Sequence, residues 1–176
     1  MFSFTDVAAL ATKHHKGNRS AAVEALLRGG PNVKYNANRA YADAKLIVAW
    51  WAAALARRLP SGMAVYAVAP GSAPDTKASR NAPAALKYLF IPLVKLIPGM
   101  TQTPETAARR YLQASKFGTD LSGQFFASAP KKLTGPIEAM RHPHLHDRAN
   151  QEAAWQAVVK VSGVELSHSA SLSAVS

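Results

Sequence analysis

Cysteine is absent from the 176 residues. That excludes disulfides, thiolate zinc centres and cysteine nucleophiles, and it suits a reducing, cytoplasmic setting. Acid is scarce: 10 Asp plus Glu stand against 21 Lys plus Arg, a net charge of +11. Aromatic residues reach only 8%, and none interleave with basic residues as a stacking ladder for single-stranded nucleic acid would. The basic residues come as short pairs, Arg57-Arg58, Arg109-Arg110 and Lys131-Lys132, with no zinc-finger or recognition-helix pattern. No nucleic-acid partner is expected. A solvated basic face, or a site for an anionic ligand, accounts for the charge. Long uncharged runs are missing too. Ala82 to Met100 is the most apolar stretch, but Lys87, Lys95, Pro83, Pro92 and Pro98 interrupt it, so no membrane span is expected. An amphipathic lid is the better reading. The opening Met1 to Asp6 has neither a basic start nor an apolar run, so no secretory signal is expected there.

What is present supports a core. Hydrophobic residues make up 48%, enough for one domain, read here as 1–163 with a polar, fraying tail over 164–176. Thr5 could cap a short helix through Val7 and Leu10. Asn18 caps a second, Arg19 to Arg28, stopped by Gly29-Gly30-Pro31. Asn38 is a candidate cap for the strongest helix, Arg39 to Leu59, which Pro60-Ser61-Gly62 ends. Met63 to Ala69, MAVYAVA, reads as a buried parallel strand. Residues 84–97 read as partly helical with a break at Pro92. Thr103-Pro104-Glu105 starts a helix reaching Ala114 or Ser115. Gln124 to Ser128 reads as a second short strand, and 131–146 as irregular. Asp147 caps a last helix, Ala149 to Val161, closed by Gly163. Trp50 and Trp51 cannot share one face, so one should pack on the sheet and the other on a helix or a second subunit. Arg109 and Arg110 should split, one solvated and one paired with Glu105 or Asp120.

Two side chains carry a chemical signal. Tyr41 and Lys45 stand four apart, so they share a helix face. A free phenol titrates near pH 10, and an ammonium one turn away favours the phenolate electrostatically while leaving three donors for a hydroxyl or phosphate. YADAK, the apolar helix, the strand MAVYAVA and the turn Pro70-Gly71 together resemble the C-terminal portion of a short-chain dehydrogenase/reductase. The resemblance covers about residues 35 to 130. It implies an α/β, partial Rossmann-like three-layer fold with few parallel strands and flanking helices. It also implies hydride transfer between NADP or NAD and a carbonyl or alcohol of an apolar substrate. Tyr41 and Lys45 are then the catalytic pair: Tyr41 the general acid or base, Lys45 its partner and a holder of the nicotinamide ribose. Pro70, Gly71, Ser72 and Thr76 are the further cofactor positions, with Asp75 standing where that family often has its threonine. The helix 39–59 is where such proteins commonly pair, so a homo-oligomer is expected.

The departures are as informative. A dinucleotide fold needs a glycine-rich turn for its pyrophosphate, and the glycines here never form one. No serine is assignable as a further catalytic hydroxyl among Ser3, Thr5 and Ser20. The expectation is therefore a C-terminal part of a longer enzyme, its cofactor site complete only if an N-terminal half is supplied. The rival is a catalytically inactive fragment or a non-enzymatic partner protein. His142, His144 and His146 could coordinate a metal from an extended segment, but Pro143 excludes a regular helix through them. A loop at the site mouth or a partner surface is preferred, and no metal site is assigned.

Overall fold

Side-chain caps set the helix starts. A computed structural model describes residues 4–30, 32–72, 96–130 and 132–164. Helix α1 spans Val7–His14, and Asp6, not Thr5, caps it by accepting from Ala9 N–H. Thr5 is unavailable because its N–H and hydroxyl both donate to Asp43, at 2.8 and 2.6 Å. Helix α2, Arg19–Arg28, is capped by Asn18 and closed by Gly29 in the left-handed region at φ 67°. Helix α3 spans Ala37–Ala56. Its cap is Asn36, which accepts from Arg39 N–H, so the helix begins before Asn38. It ends short of Leu59 because Arg57 and Arg58 fold back and donate to the carbonyls of Ala53 and Ala54. Helix α4, Pro104–Ala114, starts as expected from Thr103 with proline at its first position.

The sheet is small and mixed. Strands β1 (Ala67–Val68), β2 (Phe125–Ser128) and β3 (Ile137–Ala139) lie in the order β1-β2-β3. β1 pairs parallel with β2, and β2 pairs antiparallel with β3. The strand expected over Met63–Ala69 narrows to Ala67–Val68, since β2 is too short to pair with all of it. Val65 is still tethered: its carbonyl accepts from Gly123 N–H and its N–H donates to Ser122 Oγ. The segment read as irregular holds β3 and one helical turn, α5 (Pro143–His146). Pro143 starts that turn instead of preventing it, because the first helical position needs no N–H. Helix α6, Arg148–Ser162, runs from Asp147 to Gly163.

Two apolar clusters result. The first joins α1, α2, α3 and α6 through Val7, Val23, Ile47, Trp50 and Ala154. The second joins Ala114 of α4 to Phe126 and Ile137, with Tyr66 and Phe117 against them. Successive strand residues face opposite ways. Phe126 packs toward α4, whereas Phe125 borders a cleft with Ala49 and Ala53 of α3. Helices thus flank the strands on both faces, an α/β arrangement. Gly123 lets α3 come close: a Cβ there would sit 2.8 Å from Ala56 Cβ. The tryptophans divide the helix side between them. Trp50 is buried and its indole N–H donates to His144 O at 2.6 Å. Trp51 stacks on Trp155 of α6, centroids 6.5 Å apart. Neither belongs to the cluster around the strands. No helix among the described residues is long and apolar enough to cross a membrane.

The α6 cap gives a pH-dependent prediction. Burial pushes the Asp147 carboxyl up, but the Asn150 N–H and the Arg19 guanidinium outweigh it and hold it below its ordinary value. A depressed carboxyl stabilises the fold above its unfolded pKa of about 4 and loses that contribution as pH falls through the folded value. Asp147→Ala should cost about 1–2 kcal/mol in urea unfolding at neutral pH. The gap between variant and parent should shrink on acidification below about pH 4.

Candidate functional site

Helix α3 has two faces. Its buried residues include Ala42, Asp43, Leu46, Ile47, Ala49 and Trp50. Tyr41, Ala44, Lys45 and Val48 recur at helical spacing on the exposed side. Tyr41 is 60% and Val48 54% exposed. Lys45 Nζ lies 5.5 Å from the centroid of the Tyr41 ring, so phenol and ammonium stand together. Asp43, between them in sequence, points the other way and grips Thr5. That contact occupies the Thr5 hydroxyl on the far side of α3 from Tyr41. Ser20 lies within α2.

The helix direction places this pair relative to the strands. Ala53 and Ala56, near the end of α3, abut Gly123, just before β2. Going back along α3 to Tyr41 rises about 18 Å. Going forward along β2 to Ser128 advances about 17 Å. By these lengths Tyr41 lies about one β2 length along α3 from the Gly123 contact.

Arg110 builds the 69–72 turn that leaves β1. It is only 4% exposed, on α4 beside the buried Ala107 and Ala114. Its Nη1 donates to Ala69 O at 3.1 Å. Its Nη2 donates to Ser128 Oγ at 2.7 Å and to Gly135 O at 2.8 Å. Neither Glu105 nor Asp120 pairs with it, contrary to expectation; its partners are neutral acceptors. Burial holds its pKa below the usual arginine value. The spacing Ala107, Arg110, Ala114 was the available signal that this arginine, not Arg109, turns inward.

The turn is held by the protein's own groups. Gly71 has φ 82°, and a Cβ there would stand 2.6 Å from both Arg110 Nη1 and Leu133 O. The close approach that requires glycine is thus to the protein itself. Ser72 N–H donates to Leu133 O and Ser72 O accepts from Gln102 N–H. Pro70 O accepts from the Gln102 side chain. The main-chain groups of Ser72 are consequently committed within the fold. Thr76 lies outside the described residues, as do Asp75, most of the lid stretch and the tail from 165.

Two other candidates remain. A cleft of about 830 Å³ opens between α1, α2 and the start of α3, but neither Tyr41 nor Lys45 lines it. The His142 and His144 rings stack at 4.9 Å, and His146 Nε2 lies 3.3 Å from Met140 O. Among the described residues, no group of three or more potential ligands gathers to hold a metal ion. No protein-family model matches this chain, and no curated protein is significantly similar to it in sequence.

Arg110→Met should leave Ala69 O, Ser128 Oγ and Gly135 O without their donor and lower stability by about 2–4 kcal/mol. Gly71→Ala should also destabilise, through its positive φ and the Leu133 carbonyl. Chemical denaturation of both variants checks the assignment; a loss under about 0.5 kcal/mol for Arg110→Met would remove its role.

Proposed function

We propose that the exposed face of α3 is the proton-transfer side of an NAD(P)-dependent oxidoreductase site within a partial Rossmann-like frame. The substrate class is a carbonyl or alcohol on an apolar molecule. One observation carries the reading: the Tyr41 phenol and the Lys45 ammonium stand together on an open helix face.

The residues present fit one end of a dinucleotide. Lys45 offers three N–H donors to ribose hydroxyls. The Tyr41 hydroxyl is exposed and free to donate its proton to a carbonyl oxygen in reduction, or to accept one in oxidation. The reading takes the 70–72 turn, fixed by Arg110 and Leu133, as the edge of the site; with its Ser72 main chain committed, Ser72 could contribute only its side chain. Nothing in the sequence offers a glycine-rich cradle, so the pyrophosphate end finds no counterpart in this chain. When bound, the nicotinamide would supply the hydride. Homo-oligomerisation along α3 would compete with this face, because Tyr41 and Val48 are its exposed large side chains among the described residues.

A second reading, a non-catalytic partner protein, is favoured by β1, which has a strand partner on one side only among the described residues. Titration with NADPH and NADH, followed by nucleotide fluorescence, separates the two. The oxidoreductase reading expects saturable micromolar binding, weakened about tenfold by Lys45→Ala and little changed by Tyr41→Phe. Any turnover should fall by about a hundredfold or more in Tyr41→Phe, which removes the proton and keeps the ring. Absence of binding at millimolar nucleotide would overturn the enzyme reading for this chain.

A further inference from the structure

The N-terminal end of the parallel strand pair bears a second, chemically different feature. A cleft of about 640 Å³ lies between the end of α3, the approach to β2, and the segment from β3 to α6. Arg57, Arg141, Arg148 and His146 line it, Thr119 and Gln124 add polar groups, and no carboxylate does. Its position follows from the topology: Gly123 and Gln124 precede β2, whereas the 69–72 turn follows β1, and the two strands are parallel. It therefore lies at the opposite end of the strands from the 69–72 turn.

Among the described residues, Arg57, Arg141 and Arg148 form no salt bridge. Glu152 is the nearby acid, and both its oxygens accept from Arg58 Nη2, at 2.7 and 2.8 Å. Arg58 itself lies over the Trp155 ring, 4.5 Å from its centroid. Arg57 is positioned by neutral groups: its Nη1 donates to Ala53 O and to Gln151 Oε1. Gln151 is itself buried and donates to Leu145 O. Partial burial, then the charges of Arg148 and Arg58, push the Arg57 guanidinium below its ordinary pKa, against an opposing pull from Glu152. Like charges gathered at a cleft of this kind are relieved by an anion, and guanidinium forks match phosphate oxygens in geometry. The volume is in the range of small-ligand sites. All three arginines line this one cleft.

We infer that this Arg57–Arg141–Arg148 cleft binds a small multiply charged phosphoryl compound, of diphosphate type, independently of the Tyr41 site. The probe is inorganic pyrophosphate, titrated calorimetrically into the full chain. Saturable one-to-one binding is expected, weakened about tenfold or more in Arg141→Gln/Arg148→Gln. The charge-matched control Lys116→Gln/Lys132→Gln should change it less than about twofold. On the unsubstituted chain, pyrophosphate should protect Arg141 and Arg148, but not Arg39, from phenylglyoxal as mapped by mass spectrometry. This second measurement stands even if the double variant folds poorly. Equal weakening in both double variants, failure to saturate, or protection of Arg39 to the same degree would overturn the site. So would a short DNA duplex that displaces pyrophosphate from these arginines and binds more tightly, which would assign them to nucleic acid instead.

Discussion

A guanidinium taken out of water needs hydrogen bonds from the protein; both terminal nitrogens of Arg110 find them, in three separate segments, while its buried Nε has no partner among the described residues. Arg110 reaches the end of β1, the end of β2 and the loop before β3. Ala69 is far in sequence from Ser128 and Gly135, and the strands beside them are short, β1 being two residues long and β3 three. A sheet so thin is marginal by itself. The fork of Arg110 fixes where its strands stop, and with that the path of the 69–72 turn. Gly71 follows from the same constraint, because any side chain there would occupy the space of the guanidinium and of Leu133 O.

Helix α3 couples that turn to the rest of the molecule. Its inner side carries Leu46, Ile47 and Trp50 into the cluster with α1, α2 and α6. Its small residues Ala53 and Ala56 let Gly123 approach. With inner side and C-terminal end both fixed, the outer stripe has a set direction and height. Tyr41 and Lys45 owe their placement to contacts made by other residues of their helix, while their own face stays exposed.

The sequence carried the helices well and the sheet poorly. Asn18, Thr103-Pro104 and Asp147 each announce a helix start through short-range hydrogen bonding that depends on nearby residues alone. Thr5 misled for a tertiary reason, its donors being taken by Asp43 from another helix. Asn36 and Asn38 are equivalent caps locally, and only the fold selects the first. β3 has no run of β-branched residues to mark it; it exists because β2 offers an edge. The shared face of Tyr41 and Lys45 was legible from spacing. The inward turn of Arg110 was legible in principle from its place between Ala107 and Ala114, but the identity of its acceptors was not, because carbonyls leave no trace in composition.

The charge of +11 gains a meaning only when the arginines are followed one at a time. Arg57 and Arg58 are neighbours at the end of α3, where helix carbonyls favour cations, and both fold back onto that end. Beyond that they diverge. Arg58 is matched by the Glu152 carboxylate and an indole face. Arg57 meets two neutral oxygens, Ala53 O and Gln151 Oε1, with Arg148 close enough to repel it and only a weaker pull from Glu152. Local capping therefore explains both residues but leaves the charge of one unbalanced. The same reasoning separates Arg19, held by Asp147 across the helices, from Arg148, the next residue after that acid yet turned to the cleft. Composition records an excess of cations; the pairing pattern says where the excess is concentrated. Among the described residues, Arg57 and Arg148, beside the N-terminal end of β2, are part of it.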